Sequence, residues 1–194
     1  MKRNGFTLSE LAIVVALLLF AAWIFVPWGH LGRSHHNRDR AYCQSNLKHI
    51  GFGFKQYIQD YDERFPSLST VAGWRDAVGV YVKDDAQFHC PSAGDDPRPQ
   101  TADYWFNARM SGIREEVLDS QALTVMLGDG YSSADPRVSL SQLPKSWLDD
   151  PKSPARRHLD GMNFAFADGH VKWLRPEKIS TQSPKNGVFA FTVR

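Results

Sequence analysis

The 194-residue chain has only two cysteines and almost no charge imbalance, with 23 Lys and Arg against 21 Asp and Glu. Two thiols are too few for a disulfide-dense scaffold or a four-thiolate zinc site. A formal net charge of +2 gives no electrostatic footprint for nucleic acid, so no specific nucleic-acid partner is expected. The chain has no HExxH, no phosphate-binding glycine loop and no G-x-S-x-G elbow. Nothing therefore pairs a nucleophile with a base, and the expectation is a protein that is not an enzyme. No internal repeat is visible. A hydrophobic content of 42% with 23% charged residues excludes wholesale disorder. A mean hydropathy of −0.40 excludes a polytopic membrane protein.

What the chain does have is one long apolar run. Leu11 to Val26 are sixteen consecutive apolar residues, about 24 Å as a helix at ~1.5 Å per residue. Extended from Phe6 to Trp28 the run reaches roughly 34 Å, enough for a hydrocarbon core of ~30 Å. The expectation is a membrane-spanning helix over residues 6–28. The run ends in FVPWGHLGR, without the small-residue cleavage site of a secretory signal. Pro27 either stops this helix, helped by Gly29 and Gly32, or kinks a longer one, and the polar stretch that follows favours a break. Charge counting leaves orientation open, because Lys2 and Arg3 precede the span while Arg33, Arg38 and Arg40 follow it.

Immediately before the run stand Gly5, Phe6, Thr7, Leu8, Ser9 and Glu10. GFTLSE directly against an apolar helix resembles the amino-terminal signal of type IV pilins and type II secretion pseudopilins. The resemblance implies cleavage between Gly5 and Phe6 by a prepilin peptidase that also methylates the new terminus. Residues 1–5 would be the leader and the amino terminus would lie inside. It also implies that Glu10 pairs with the amino group of Phe6 on a neighbouring subunit in a filament. A carboxylate in a spanning segment is by default a functional group with a partner; the alternative is that Glu10 snorkels to the headgroups. The implied location is the bacterial cytoplasmic membrane, crossed once, with residues 29–38 as a juxtamembrane linker. Residues 39–194 would form a periplasmic or extracellular domain. Its partners would be the peptidase, membrane lipid and other pilin-like subunits.

Past the span, Cys43, Leu47, Ile50, Phe54, Tyr57 and Tyr61 recur at helical spacing and predict one apolar stripe over Asp39–Tyr61. Trp74, Ala77, Val78 and Tyr81 predict a short second helix. Tyr104–Asn107 and Ala122–Leu127 read as strands, the latter ended by Gly128-Asp129-Gly130. Met162–Leu174 reads as a hairpin about a two-residue Asp168-Gly169 turn, pairing Phe166 with Val171 and Phe164 with Trp173 on one face. Gly187–Val193 alternates and is expected to close the sheet. Cys43 and Cys90 both follow the span, which places them in an oxidising compartment. They are expected to form a disulfide, with two unpaired buried thiols as the alternative.

His158 lies ten positions before Asp168, and Gly169 follows it. Together with CQSNLKHIGFGFKQYIQDYDERFP and FHCPSA, this resembles the H-X9-DG group of prepilin-like proteins, with the motif at 158–169. His158 and Asp168 are expected to share a structural hydrogen bond. A metal site with His170, Asp160 and Asp129 as neighbours is the alternative, and structural calcium is the ion the resemblance allows. Otherwise no cofactor is expected. His30, His35 and His36 read as a solvated linker, Lys152, Arg156 and Arg157 as a charged loop, and Trp74, Trp105, Trp147 and Trp173 as core or interface. The expected fold is α+β and pilin-like, a transmembrane and then amphipathic amino-terminal helix packed on a small antiparallel sheet. The expected function is a pseudopilin-like filament subunit; the alternative is a membrane-tethered envelope module that binds a ligand, polysaccharide, DNA or metal.

Overall fold

The computed structural model describes residues 7–70, 73–94, 102–133, 135, 137–180 and 188–193, of which 25–34 and 131–133 are described by their backbone alone. The chain divides into two units, Met1–Asn37 and Arg38–Arg194. Helix α1 is assigned over Leu8–Asp60, across Pro27, so the break expected there is not found. A proline removes one backbone donor, and the helix continues on either side of it.

In the first unit the side chains of α1 from Leu11 to Ile24 are all apolar and, Ala21 apart, exposed. Leu11, Leu17, Leu18, Leu19, Phe20 and Trp23 are 55–75% exposed. Among the described residues no helix is long and apolar enough to cross a membrane.

In the second unit α1 lays a buried stripe of Cys43, Leu47, Ile50, Phe54 and Ile58 on a mixed sheet. Each fully buried Leu, Ile or Phe contributes roughly 1.5–3 kcal/mol. The stripe ends on Ile58 rather than on the expected Tyr61, which is 53% exposed and stacks on Tyr57 at 4.2 Å. A short helix α2 (Gly73–Gly79) follows. Gly53 of α1 seats it, since a Cβ there would stand 2.9 Å from both Val78 and Val82.

The strands are β1 (Ala102–Asn107), β2 (Val125–Ser133), β3 (Ser139–Leu140), β4 (Met162–Phe166) and β5 (Val171–Leu174), with helix α3 (Lys145–Asp149) between β3 and β4. They form one sheet in the order β3-β1-β2-β4-β5. The fold is α+β as expected, but the sheet is not purely antiparallel, because β3 pairs parallel with β1. Ile179–Ser180 (β6) and Phe189–Ala190 (β7) make a separate parallel pair. The carboxy-terminal run therefore does not close the main sheet. It packs on the sheet's aromatic side chains, with Phe191 stacked on Trp105 at 5.2 Å and Phe189 tilted against Phe166 at 4.8 Å.

The hairpin forms, one residue out of the expected register. Phe164 pairs with Lys172 and Asn163 with Trp173. The cause is the turn. Gly169 N–H donates to Phe166 O at 2.8 Å and Phe166 N–H to His170 O at 2.9 Å. Only Gly169 of the two turn residues has positive φ, +93°. This is a three-residue loop with a left-handed glycine, which shifts the ladder by one and turns Trp173 to the face opposite Phe164.

Strand β2 begins at Val125 and runs through Gly128-Asp129-Gly130 rather than ending there. Gly128 is needed for packing, because a Cβ there would come 2.2 Å from the Trp105 ring. Gly128→Ala is expected to cost about 1–3 kcal/mol through forced repacking of Trp105. Gly51→Ala meets only ordinary contacts at 3.9–4.0 Å. It should instead stabilise α1 by up to about 1 kcal/mol through helix propensity. Urea unfolding midpoints of the two variants against the parent check the opposite signs.

Candidate functional site

The elements converge on a buried polar cluster beneath α1. Cys43 arrives from the apolar stripe of that helix. Cys90 sits at the junction of two short 3-10 segments, Asp85–Phe88 and Pro91–Ala93. Its backbone is fixed by β1: Cys90 N–H donates to Asp103 Oδ2 at 2.8 Å. The preceding carbonyl, His89 O, accepts from Asn46 Nδ2 at 2.9 Å and from the Tyr104 hydroxyl at 3.3 Å. The two sulfurs end 2.6 Å apart as buried thiols, with Cys43 and Cys90 only 0% and 4% exposed. The predicted pair is brought together.

His158 enters from the turn before β4. Leu159 and Asp160 both hold left-handed φ, +55° and +66°. That conformation costs a β-carbon-bearing residue about 1–2 kcal/mol. The turn is tied by His158 N–H to Gly161 O at 3.1 Å and by Trp173 Nε1 to His158 O at 2.7 Å. Gly161 is obligatory there, since a Cβ would meet Trp173 at 2.6 Å. The imidazole is fully buried, with Nε2 3.3 Å from Cys90 Sγ and 3.2 Å from Asp129 Oδ2.

This corrects the expected partnership. His158 does not bond Asp168. Asp168 instead accepts from its neighbour His170, at 2.7 Å through Nδ1 and 3.0 Å through the backbone. The reason is the ladder: His158 and Asp168 bracket opposite ends of β4, so the nine intervening residues are a turn, a strand and one loop residue. The carboxylate that reaches His158 belongs to Asp129. Its burial escapes a sequence reading because Gly-Asp-Gly has the composition of a turn. The Asp129 Oδ2 atom also accepts from Asn163 N at 3.1 Å and Asn163 Nδ2 at 3.0 Å. Asn163 Nδ2 reaches in turn to Arg40 O on α1 at 3.1 Å.

The residues considered for calcium are dispersed. Asp160 pairs with Arg156 at 2.8 Å and Arg175 at 3.3 Å, while Asp129 and His170 have the partners already given. Arg156 of the basic loop also pairs with Glu177. Trp74, Trp105 and Trp147 are buried and Trp173 is half-buried, which bears out core or interface roles over a ligand box.

At the other end of the chain Gly5 and Phe6 lie outside the described residues. Glu10 has a local role that the sequence shows in its T-x-x-E spacing: Thr7 N–H and Thr7 Oγ1 donate to Glu10 Oε2 at 2.8 and 2.7 Å. Glu10 N–H stands 3.4 Å from Thr7 Oγ1 in return. This is a capping box at the start of α1. Both shorter bonds fall on one oxygen, and Glu10 stays exposed.

Burial works against a charged His158, but the Asp129 carboxylate and the Cys90 sulfur at Nε2 outweigh it and push its pKa up to about 9. In the thiol state, Cys90 is the acidic member of the pair. The bond to Cys43 lowers it, burial opposes, and His158 lowers it further, to about 6, while Cys43 is pushed up. The arrangement can hold an imidazolium beside a carboxylate and a thiolate, or an imidazolium beside a disulfide. Searches against family models, characterised proteins and solved structures give no match to this chain.

The histidine titration carries a sign. With a folded pKa raised from 6.5 to about 9, the pair stabilises the fold fully below pH 6.5. That contribution is lost as pH rises through about 9. The urea midpoint of the reduced chain is expected to fall between pH 6.5 and about 10, and Asp129→Asn should flatten that fall.

Proposed function

We propose that this chain is a pilin-like structural subunit, inserted once in the bacterial cytoplasmic membrane through residues 6–28, processed between Gly5 and Phe6, and assembled into a type II secretion or type IV pilus-like filament. The observation that carries the reading is the amino-terminal helix, whose apolar side chains from Leu8 to Ile24 are uncovered and headed by an exposed carboxylate. An apolar helix of this kind needs lipid or neighbouring helices around it. The GFTLSE signal resembling that of pilins supplies the processing step and the neighbouring amine. The capping box is compatible with that amine, since a carboxylate has about four acceptor sites and the box uses one oxygen.

The domain beyond residue 38 would be held on its helix by a Cys43–Cys90 disulfide. The sulfurs are already within about 1 Å of the ~2.05 Å bond length. The oxidising side of the membrane favours closure. Closing a loop across the 47-residue separation contributes about 4 kcal/mol in the chain-entropy model.

Two substitutions separate the roles of Glu10. Glu10→Gln keeps a side chain able to cap the helix and removes the charge, whereas Glu10→Ala removes both. If an amine on a neighbour binds the carboxylate, both variants should be processed by the peptidase and inserted, and both should fail to cross-link into filaments. Normal assembly of Glu10→Gln would reduce Glu10 to a cap. The parent isolated with its peptidase should have lost Met1–Gly5 and gained a methyl group on Phe6, read by intact mass; a retained leader would leave a tethered domain. For the disulfide, alkylation of the unreduced, denatured chain should label no thiol, and Cys43→Ala should lower the unfolding free energy of the oxidised protein by about 4 kcal/mol.

A further inference from the structure

Cys43, Cys90 and His158 place one ligand atom each within 4.8 Å of one another, all buried. Three features set this cluster apart from a plain disulfide in an apolar core. A fully buried imidazole aims one nitrogen at both a sulfur and a carboxylate, at 3.3 and 3.2 Å. Asp129 is itself fully buried, and its Oδ1 atom has no hydrogen-bond partner among the described residues. His158 is delivered by a turn with two strained left-handed residues, which is where backbone strain accompanies a required side-chain position.

We propose that the reduced chain binds one Zn2+ ion here, with Cys43 Sγ, Cys90 Sγ and His158 Nε2 as ligands and the adjacent Asp129 carboxylate, outside that trio, shifting to close the fourth position. Two thiolates, an imidazole and a carboxylate are a donor set suited to tetrahedral zinc. With bonds of ~2.3 Å to sulfur and ~2.0 Å to nitrogen, a tetrahedral ion separates sulfur from nitrogen by about 3.5 Å. Cys90 and His158 already stand 3.3 Å apart. The same geometry separates two sulfurs by about 3.8 Å, so the 2.6 Å pair must open. Metal and disulfide are therefore alternative occupants of one site, selected by the redox state of Cys43 and Cys90. Binding releases two protons to solvent, one from the Cys43 thiol and the one held between Cys90 Sγ and His158 Nε2, so that both sulfurs bind as thiolates and Nε2 through its freed lone pair. Asn163 keeps its two bonds to Asp129 Oδ2, which orients the carboxylate from outside the metal.

The test uses the full chain in detergent micelles. A phosphine reduces the disulfide by taking two electrons' worth of oxidation, becoming a phosphine oxide with oxygen from water, and two thiols result. The reduced chain is then titrated with Co2+ and with Zn2+ against a chromophoric chelator. The expected results are one equivalent bound, a thiolate-to-cobalt charge-transfer band with the visible bands of a tetrahedral ion, and displacement of Co2+ by Zn2+. The untreated, oxidised chain should bind neither. His158→Gln should weaken binding at least tenfold and Cys43→Ala should abolish the charge-transfer band of a two-thiolate site, with circular dichroism confirming that each variant keeps its fold. Absence of the cobalt spectrum in the folded, reduced parent overturns the proposal, and this reading needs no variant. Equal affinity of parent and His158→Gln also overturns it, as does metal uptake by the oxidised chain. Neither result bears on filament assembly, which Glu10 tests separately.

Discussion

The second unit is organised around the contact between Asp129, in the middle of β2, and the side chains that come to it from elsewhere. A buried carboxylate is costly unless donors surround it. Asp129 Oδ2 draws two donors from Asn163 and faces the imidazole of His158. Asn163 extends the network to the backbone of α1 at Arg40, and His158 extends it to Cys90. Helix, central strand, hairpin and the 3-10 segments are thus all fixed against one charge. Apolar burial supplies most of the stabilisation but little direction, because a stripe of Leu, Ile and Phe tolerates sliding. The polar cluster fixes which turn of α1 lies over which strand.

The relation between His158 and Asp168-Gly169 becomes a matter of spacing rather than contact. The strand between them has to start from a turn that delivers the imidazole and finish in a turn that Gly169 permits. Helix α1 passes over the second turn, where the place of a Cβ on Gly51 is 4.0 Å from the Gly169 backbone. One end of the motif therefore meets α1 through the sulfurs and the other through glycine on glycine. A residue added or lost between them would slip β4 by one and turn Asn163 away from Asp129.

Much of this was legible in the residues. The apolar stripe of α1, the short α2, the existence of the hairpin and the meeting of Cys43 with Cys90 follow from periodicity, turn composition and cysteine count. The register did not follow, because Asp-Gly serves both two- and three-residue loops, and the choice is made by contacts such as Phe166 stacked on His170 at 4.3 Å. Asp129 was legible only as one of three neighbours in a metal alternative, and its burial in mid-strand as the carboxylate on His158 did not follow. Glycines on both sides look like punctuation, whereas Gly128 is there to admit the Trp105 ring. The capping box of Thr7 and Glu10 was fully visible as T-x-x-E, yet the same residues resemble a processing signal, and that resemblance points to a distant partner instead. Where two physical roles share one short segment, spacing alone does not apportion them.

The two carboxylates that matter most sit in opposite surroundings, and this bears on what each can do. Asp129 is fully buried and holds a protonatable partner, so its energetics are those of the fold and of whatever occupies the sulfur pair. Glu10 is exposed and its donors lie within one helical turn, on Thr7, so no cation among the described residues pairs with it. In water such a carboxylate needs no counterion. Beside an apolar helix placed in lipid it does, because a charge in hydrocarbon is expensive without a partner. The uncovered Leu, Phe and Trp side chains that follow it require that same lipid or a neighbouring helix. The demand for a cation at Glu10 and the demand for cover along the helix thus arise together, and a second copy presenting its own amino terminus would meet both at once.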